Sequence, residues 1–160
     1  MTADLPDIIR EFDLKKCMQC GKCTASCPAG LESNIRTRLV IYLAKSGAEV
    51  LGMKELWCCT TCYTCQERCP KNVKVTDAII HLRNLAVKRG NFPRIHVTAI
   101  NAIRDTSNGF PLTPEVSKIR SLLGLPIEPH DVAHNEEGLK RFKTLFESLE
   151  LLKLVEDAPK

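Results

Sequence analysis

Apolar residues in this chain recur at intervals of three and four and almost nowhere alternate, so the pattern predicts helices and no β-hairpin. Ile8, Ile9 and Phe12 suggest a brief helix in a lead-in over residues 1–16. Ile35, Leu39, Tyr42 and Leu43 share one face of a helix that Ser33 or Asn34 would cap and Gly47 would stop. A second short helix is expected over residues 48–51. Ala78, Ile79, Leu82, Leu85 and Ala86 form a longer stripe, with Thr76 as its N-cap and Gly90 as its stop. A further helix can start at Pro93, run through Val97, Ile100 and Ile103, and break at Asn108-Gly109-Phe110-Pro111. Thr113-Pro114-Glu115 opens another, through Val116, Ile119, Leu122 and Leu123 to Gly124. After a loop with two prolines, Asn135 or Glu136 starts a last helix with Leu139, Phe142, Leu145, Phe146 and Leu149 as its core face. The expectation is an all-α chain.

Two cysteine runs interrupt the pattern. Cys17, Cys20, Cys23 and Cys27 precede Pro28, and Cys59, Cys62, Cys65 and Cys69 precede Pro70. Both read C-x2-C-x2-C-x3-C-P, the spacing of two-cluster [4Fe–4S] proteins, in which the fourth Cys ligates the other cluster. Two-residue gaps let the backbone curl around one cube and present three thiolates, while the proline turns the chain away and frees the fourth. Structural zinc, the main competitor, uses paired C-x2-C knuckles supplying four ligands in all, and suits this repeat less well. Two [4Fe–4S] clusters are therefore expected, in a cluster domain over residues 1–90 followed by a helical extension over residues 91–160.

Composition narrows the setting. Hydrophobic residues make up 44% and aromatics only 5%, so the core must be aliphatic. The net charge is +4, and each cube with four thiolates carries about −2, so the loaded protein is near neutral. The basic balance is thus no nucleic-acid signal. Nine cysteines, an odd count, and a start without a basic-then-apolar leader point away from a disulfide framework. No apolar run approaches the ~20 residues of a membrane span. The chain is expected to be soluble and cytoplasmic, in a reducing compartment.

Other residues carry weaker signals. Lys15, Lys16, Lys22, Lys71 and Lys74 surround the runs and suit either an acidic partner or a solvated surface. Trp57 and Tyr63 flank the second run and are expected to shield a cube. Cys58 lies outside the repeat and reads as a small buried hydrophobe. The four histidines form no metal-ligand spacing with a cysteine, and there is no phosphate loop, catalytic triad or nucleotide fingerprint. Redox centres without a place for substrate chemistry describe an electron wire with no catalytic residue of its own. Residues 91–160 hold no cysteine, and Leu151, Leu152, Leu154 and Val155 extend the last apolar face; this excess predicts a docking platform, the alternative being a helix folded back on the chain's own core.

With Cys17–Pro28, the Trp57-to-Pro70 run and Thr76-Asp-Ala-Ile-Ile-His-Leu-Arg83 in view, the chain resembles the C subunit of the heterodisulfide reductase of methanogenic archaea, a two-cluster protein of the α-helical ferredoxin class. The resemblance continues through Asn108–Pro111 and Arg120–Leu125, so it covers most of the chain. It implies electron transfer from the A subunit, which holds flavin and iron–sulfur centres, to the B subunit, which reduces the mixed disulfide of coenzymes M and B in methanogenesis. A hydrogenase or formate dehydrogenase would belong to the larger complex. Carried over by motif, Cys17, Cys20, Cys23 and Cys69 would hold one cube, and Cys59, Cys62, Cys65 and Cys27 the other. Iron–sulfur subunits of succinate dehydrogenase and fumarate reductase look similar, but their N-terminal [2Fe–2S] domain has no counterpart in the sixteen residues before Cys17. Cys58-Cys59 imitates the Cys-Cys pair of the B subunit, yet no cysteine follows Cys69 to complete a non-cubane cluster. The alternatives are a relay in another multi-subunit dehydrogenase and a scaffold with structural clusters.

Overall fold

The computed structural model describes residues 4–109, 112–149 and 153, and among them every regular element is helical. The chain divides into two compact units, one running through Pro93 and one starting at Arg94.

The first unit opens with α1 (Leu5–Glu11), in which Asp7 accepts a hydrogen bond from the Asp4 amide at 3.3 Å. A short three-ten turn (Leu14–Lys16) leads into the first cysteine run. There follow α2 (Lys22–Ala25), α3 (Ala29–Ser33) and α4 (Thr37–Ser46). A second three-ten turn (Lys54–Cys58) leads into the second run, then α5 (Thr64–Glu67) and α6 (Val75–Lys88). The aliphatic core lies between α1, α4 and α6, with Ile8, Leu14, Val40, Ile41, Leu56, Ile79 and Leu82 wholly buried. Phe12 closes one end, its ring 4.7 Å from that of His81.

The unit is built from two similar halves. The runs are 42 residues apart, and so are the buried Leu14 and Leu56 before them and helices α2 and α5 within them. The long helices match at a spacing of 38: Thr37, Val40, Ile41 and Ala44 of α4 are buried, as are Val75, Ala78, Ile79 and Leu82 of α6. Each such stripe follows the i, i+3, i+4, i+7 spacing of one helix face.

Several expectations change. The buried face of α4 is not the one led by Leu39 and Tyr42; both are exposed, because the helix starts at Thr37 and turns its tighter, smaller-residue stripe inward. Asn34 ends α3 in a left-handed conformation instead of capping α4. Residues 48–51 form no helix, although Val50 and Leu51 are buried; the chain leaves α4 at Gly47, whose φ of +72° suits a residue without a Cβ. Thr76 is not an N-cap but lies inside α6, fully buried.

The second unit contains α7 (Arg94–Thr106), α8 (Pro114–Leu122), a three-ten turn (Val132–His134) and α9 (Glu136–Ser148). The caps follow the sequence: the Thr113 hydroxyl accepts from the Val116 amide and Asn135 Oδ1 from the Gly138 amide. His134 is held between Asp131 and Glu128, and those two acceptors raise its pKa above the ordinary histidine value. Apolar burial departs from expectation. On α9 only Phe146 is buried, with Phe142 tilted against it, while Leu145 and Leu149 are exposed. On α8 the whole expected face is exposed, Ile119 to 56% and Leu122 to 78%. Phe110, Pro111, Leu151, Leu152, Leu154 and Val155, all named above, lie outside the described residues.

Candidate metal centres

Each cysteine run has the same local geometry. The first Cys is extended (Cys17 at φ −65°, ψ 117°; Cys59 at φ −68°, ψ 124°) and closes a three-ten turn. Two left-handed residues follow on either side of the second Cys: Gln19 and Gly21 in the first run, Thr61 and Tyr63 in the second. A β-branched or bulky residue with positive φ is costly. Three of these four are not glycine, so the curl of the loop is imposed at some cost. Tyr63 is tied down at its far end, its hydroxyl donating to Asp77 Oδ1 at 3.0 Å.

The curl brings thiols together across the runs. Cys17, Cys20 and Cys23 line one cavity with Cys69, the last cysteine of the other run, and Ile41, Val73 and Val75 form its apolar wall. Cys65 stands close enough to Cys59, Cys62 and Cys27 for their charges to act on it, and burial, the larger effect, raises its pKa. Burial likewise raises the pKa of Cys23, which feels both Cys17 and Cys65. Helices α2 and α5, which carry the third cysteines, pack against each other, so the two thiol sets are neighbours. Cys62, at the surface, has its pKa lowered by hydrogen bonding to Thr64. Among the described residues no three His, Cys, Asp or Glu side chains converge on a single ion position. A cube spreads its four thiolates over four irons. An all-thiol donor set with an apolar wall fits such a cube.

The long helices service the runs in matching ways. Thr24, between the third and fourth cysteines of the first run, accepts from the Arg38 amide at the start of α4, at 2.8 Å. At the equivalent place in the second run, Gln66 Oε1 accepts from the Thr76 and Asp77 amides at the start of α6, at 3.0 and 3.3 Å. Thr24 thus caps α4, the task expected of Ser33 or Asn34, and Gln66 caps α6, the task expected of Thr76. Farther along the helices, Lys45 Nζ donates to the Cys17 carbonyl at 3.1 Å. Arg83, its counterpart on α6, donates to the Cys59 and Leu56 carbonyls at 2.6 and 2.9 Å and lies over Trp57 at 5.7 Å. The thiols have polar neighbours of their own: Gln19 Nε2 donates to Cys17 Sγ, the Val73 amide donates to Cys69 Sγ, and the Thr76 hydroxyl sits beside Cys65 Sγ, each at 3.3 Å.

None of Thr24, Lys45, Gln66, Thr76 and Arg83 was singled out for these roles from the sequence. Superposing the two halves, at a spacing of 42 through the runs and 38 through the helices, would have paired Thr24 with Gln66 and Lys45 with Arg83. Lys22 and Lys71 do line the first cavity. Trp57 is half-buried against the core, but Tyr63 is exposed and turned to Asp77, so it is not the expected shield. Cys58 is half-buried, not a core residue, with only a weak contact to the Lys54 carbonyl at 4.0 Å.

Comparison with known proteins agrees with this geometry. Residues 13–73 match the 4Fe-4S dicluster domain family, and the cofactors are two [4Fe–4S] clusters. The chain is 43% identical over 145 residues, 90% of each chain, to the C subunit of the Ferredoxin/F(420)H(2)-dependent CoB-CoM heterodisulfide reductase of Methanosarcina acetivorans. It is 39% identical over 146 residues, 90% of this chain and 76% of the relative, to the iron-sulfur C subunit of the CoB--CoM heterodisulfide reductase of Methanopyrus kandleri. A third relative, 39% identical over 144 residues (89% and 78%), is the C2 subunit of the H(2)/formate:CoB-CoM heterodisulfide,ferredoxin reductase of Methanococcus maripaludis.

Proposed function

This chain belongs to the family of heterodisulfide reductase C subunits, and from that premise we propose that it is the electron relay of a CoB-CoM heterodisulfide reductase complex. The observation that carries this reading is the adjacency of two thiol sets in one small unit, with α2 and α5, which carry Cys23 and Cys65, packed together and Cys69 lining the cavity of the other run. When bound, the clusters supply one-electron redox chemistry. The chain's own residues hold, insulate and tune them. Cys17, Cys20, Cys23 and Cys69 hold one; Cys59, Cys62, Cys65 and Cys27 hold the other. Ile41, Val73 and Val75 keep water from the first. Electrons pass from the flavin-bearing A subunit to the disulfide-reducing B subunit, with a hydrogenase or formate dehydrogenase in the wider assembly. The second unit, residues 91–160 in functional terms, is a docking platform for those partners, supported by the exposed stripe of α8. Among the described residues no helix is long and apolar enough to cross a membrane. Nine free thiols suit the reducing cytoplasm.

Two measurements test this reading. Anaerobically loaded protein is expected to hold about eight irons and eight sulfides and to take up electrons from dithionite. It is expected not to reduce the CoB-CoM disulfide without its A and B partners. Disulfide turnover by the isolated chain, or proteins of an unrelated dehydrogenase co-purifying with it, would overturn the assignment. The second measurement is finer. A thiolate at Cys65 makes the Thr76 hydroxyl the donor of their hydrogen bond, and hydrogen bonds to ligand sulfur raise a cluster's potential. Thr76→Val keeps the side-chain volume and removes the donor. Potentiometric EPR should show one cluster falling by on the order of tens of millivolts, the other unmoved.

A further inference from the structure

The two halves of the cluster unit act as controls for each other, and the comparison isolates one difference in charge. The cavity of Cys17, Cys20, Cys23 and Cys69 is rimmed by Lys22, Arg38 and Lys71, and no carboxylate lines it. All three cations are exposed, and none makes an ion pair with a described carboxylate. By the internal correspondence their counterparts around the other thiol set are Thr64, Thr76 and Ala29. The fold places three positive charges at one mouth and none at the equivalent positions of the other. The first mouth is also open: Cys20 is exposed, and Met18 beside it is 60% exposed, giving an apolar centre inside a cationic ring. An apolar patch of that kind, ringed by one sign of charge, is the form of a transient electron-transfer interface, in which charge steers encounter and a small apolar contact sets the distance.

We propose that the mouth ringed by Lys22, Arg38 and Lys71 is the docking face for an acidic electron-transfer protein, and that the mouth around Cys62 is not. The proposal rests on the relay reading and gives it a polarity. With a cluster held by Cys17, Cys20, Cys23 and Cys69, one electron would pass to it from the partner's reduced centre, with no bond formed or broken and no proton required.

The test uses the loaded full-length chain and two donors of opposite charge, a reduced acidic bacterial ferredoxin and the methyl viologen radical cation, mixed anaerobically in a stopped-flow instrument. For the wild type the ferredoxin rate should fall about tenfold between about 0.05 M and about 0.5 M ionic strength. In K22E/R38E/K71E that rate at low salt should drop at least about tenfold and its salt dependence should invert, while the viologen rate stays equal or rises. Ala29→Glu, which places an acid at the corresponding point of the other mouth, should change the ferredoxin rate less than about twofold. If the triple variant loses its iron, the single variants Lys22→Gln, Arg38→Gln and Lys71→Gln should each lose about two- to threefold. A ferredoxin rate indifferent to the rim overturns the proposal, as does an equal loss in Ala29→Glu. Slowing of both donors together with a lowered cluster potential also overturns it, since the cations would then serve the cluster's charge and not a partner. Failure of the relay reading looks different, because the wild type would take no electrons from either donor, and this inference would fall with it.

Discussion

Replacing Cys27 with serine is expected to empty the site built on Cys59, Cys62 and Cys65 and to leave that of Cys17, Cys20 and Cys23 filled, with iron falling from about eight to about four per chain. Cys69→Ser should do the reverse. Cys69 shares a cavity with the first three thiols of the other run, and Cys27 is near enough to Cys65 to act on its ionisation. The expectation behind both is that Pro28 or Pro70 sends the chain off after each fourth cysteine and frees its thiol for the neighbouring run. Serine is a poor ligand for soft iron–sulfur centres, so each variant should lose most of one cluster and not merely shift its potential. The measurement is iron and sulfide content with Mössbauer or EPR spectra that separate the two. Damage confined to a variant's own run would mean that each run closes its own site. Cys58→Ala, by contrast, should leave both intact.

The second large effect is expected on α8. Val116, Ile119, Leu122 and Leu123 follow a helical stripe, yet the stripe faces solvent. Exposed apolar area of this kind on a helix marks a contact surface, and apolar anchors at the centre of an interface commonly cost more than about 2 kcal/mol when removed. Ile119→Glu with Leu122→Glu should therefore weaken binding of the partner proteins by at least about thirtyfold, measured by anaerobic pull-down or calorimetry, with cluster content unchanged. Deleting residues 136–160 should also weaken it, but less cleanly, since α9 carries Phe146, the buried hydrophobic residue among those described in its unit. Full partner affinity in the double variant would remove the second unit from the interface.

How much of this was legible in the sequence depends on the kind of signal. Spacing between cysteines is fixed by the geometry of a cube and survives any packing detail, so the runs stood out, and with them the expectation of cross-pairing. Helix ends governed by a single residue were also readable: Thr113, Asn135, Gly47, Gly90 and Gly124 all act as expected. The faces were harder. α4 offered two apolar stripes, and only the neighbouring α1 and α6 decide that the one with Val40, Ile41 and Ala44 turns inward. On α8 an apolar stripe reads the same whether it meets its own core or a partner. The long-range polar contacts were least accessible, because nothing in the local sequence tells Gln66 that it will cap α6, or Arg83 that it will reach the Cys59 carbonyl 24 residues away.

The caps supplied by Thr24 and Gln66 bear on how the protein is made. Both side chains stand on the short helices α2 and α5 inside the cysteine runs, yet both finish longer helices of the core. A chain whose runs relaxed for want of metal would loosen both contacts. It would forfeit two caps at once, each about 1 kcal/mol. Each lost cap raises the population of its own frayed helix roughly fivefold. Proteases sample open states in proportion to their population. Maturation and survival in the cell are thereby coupled: the chain that has been loaded is the one that resists turnover.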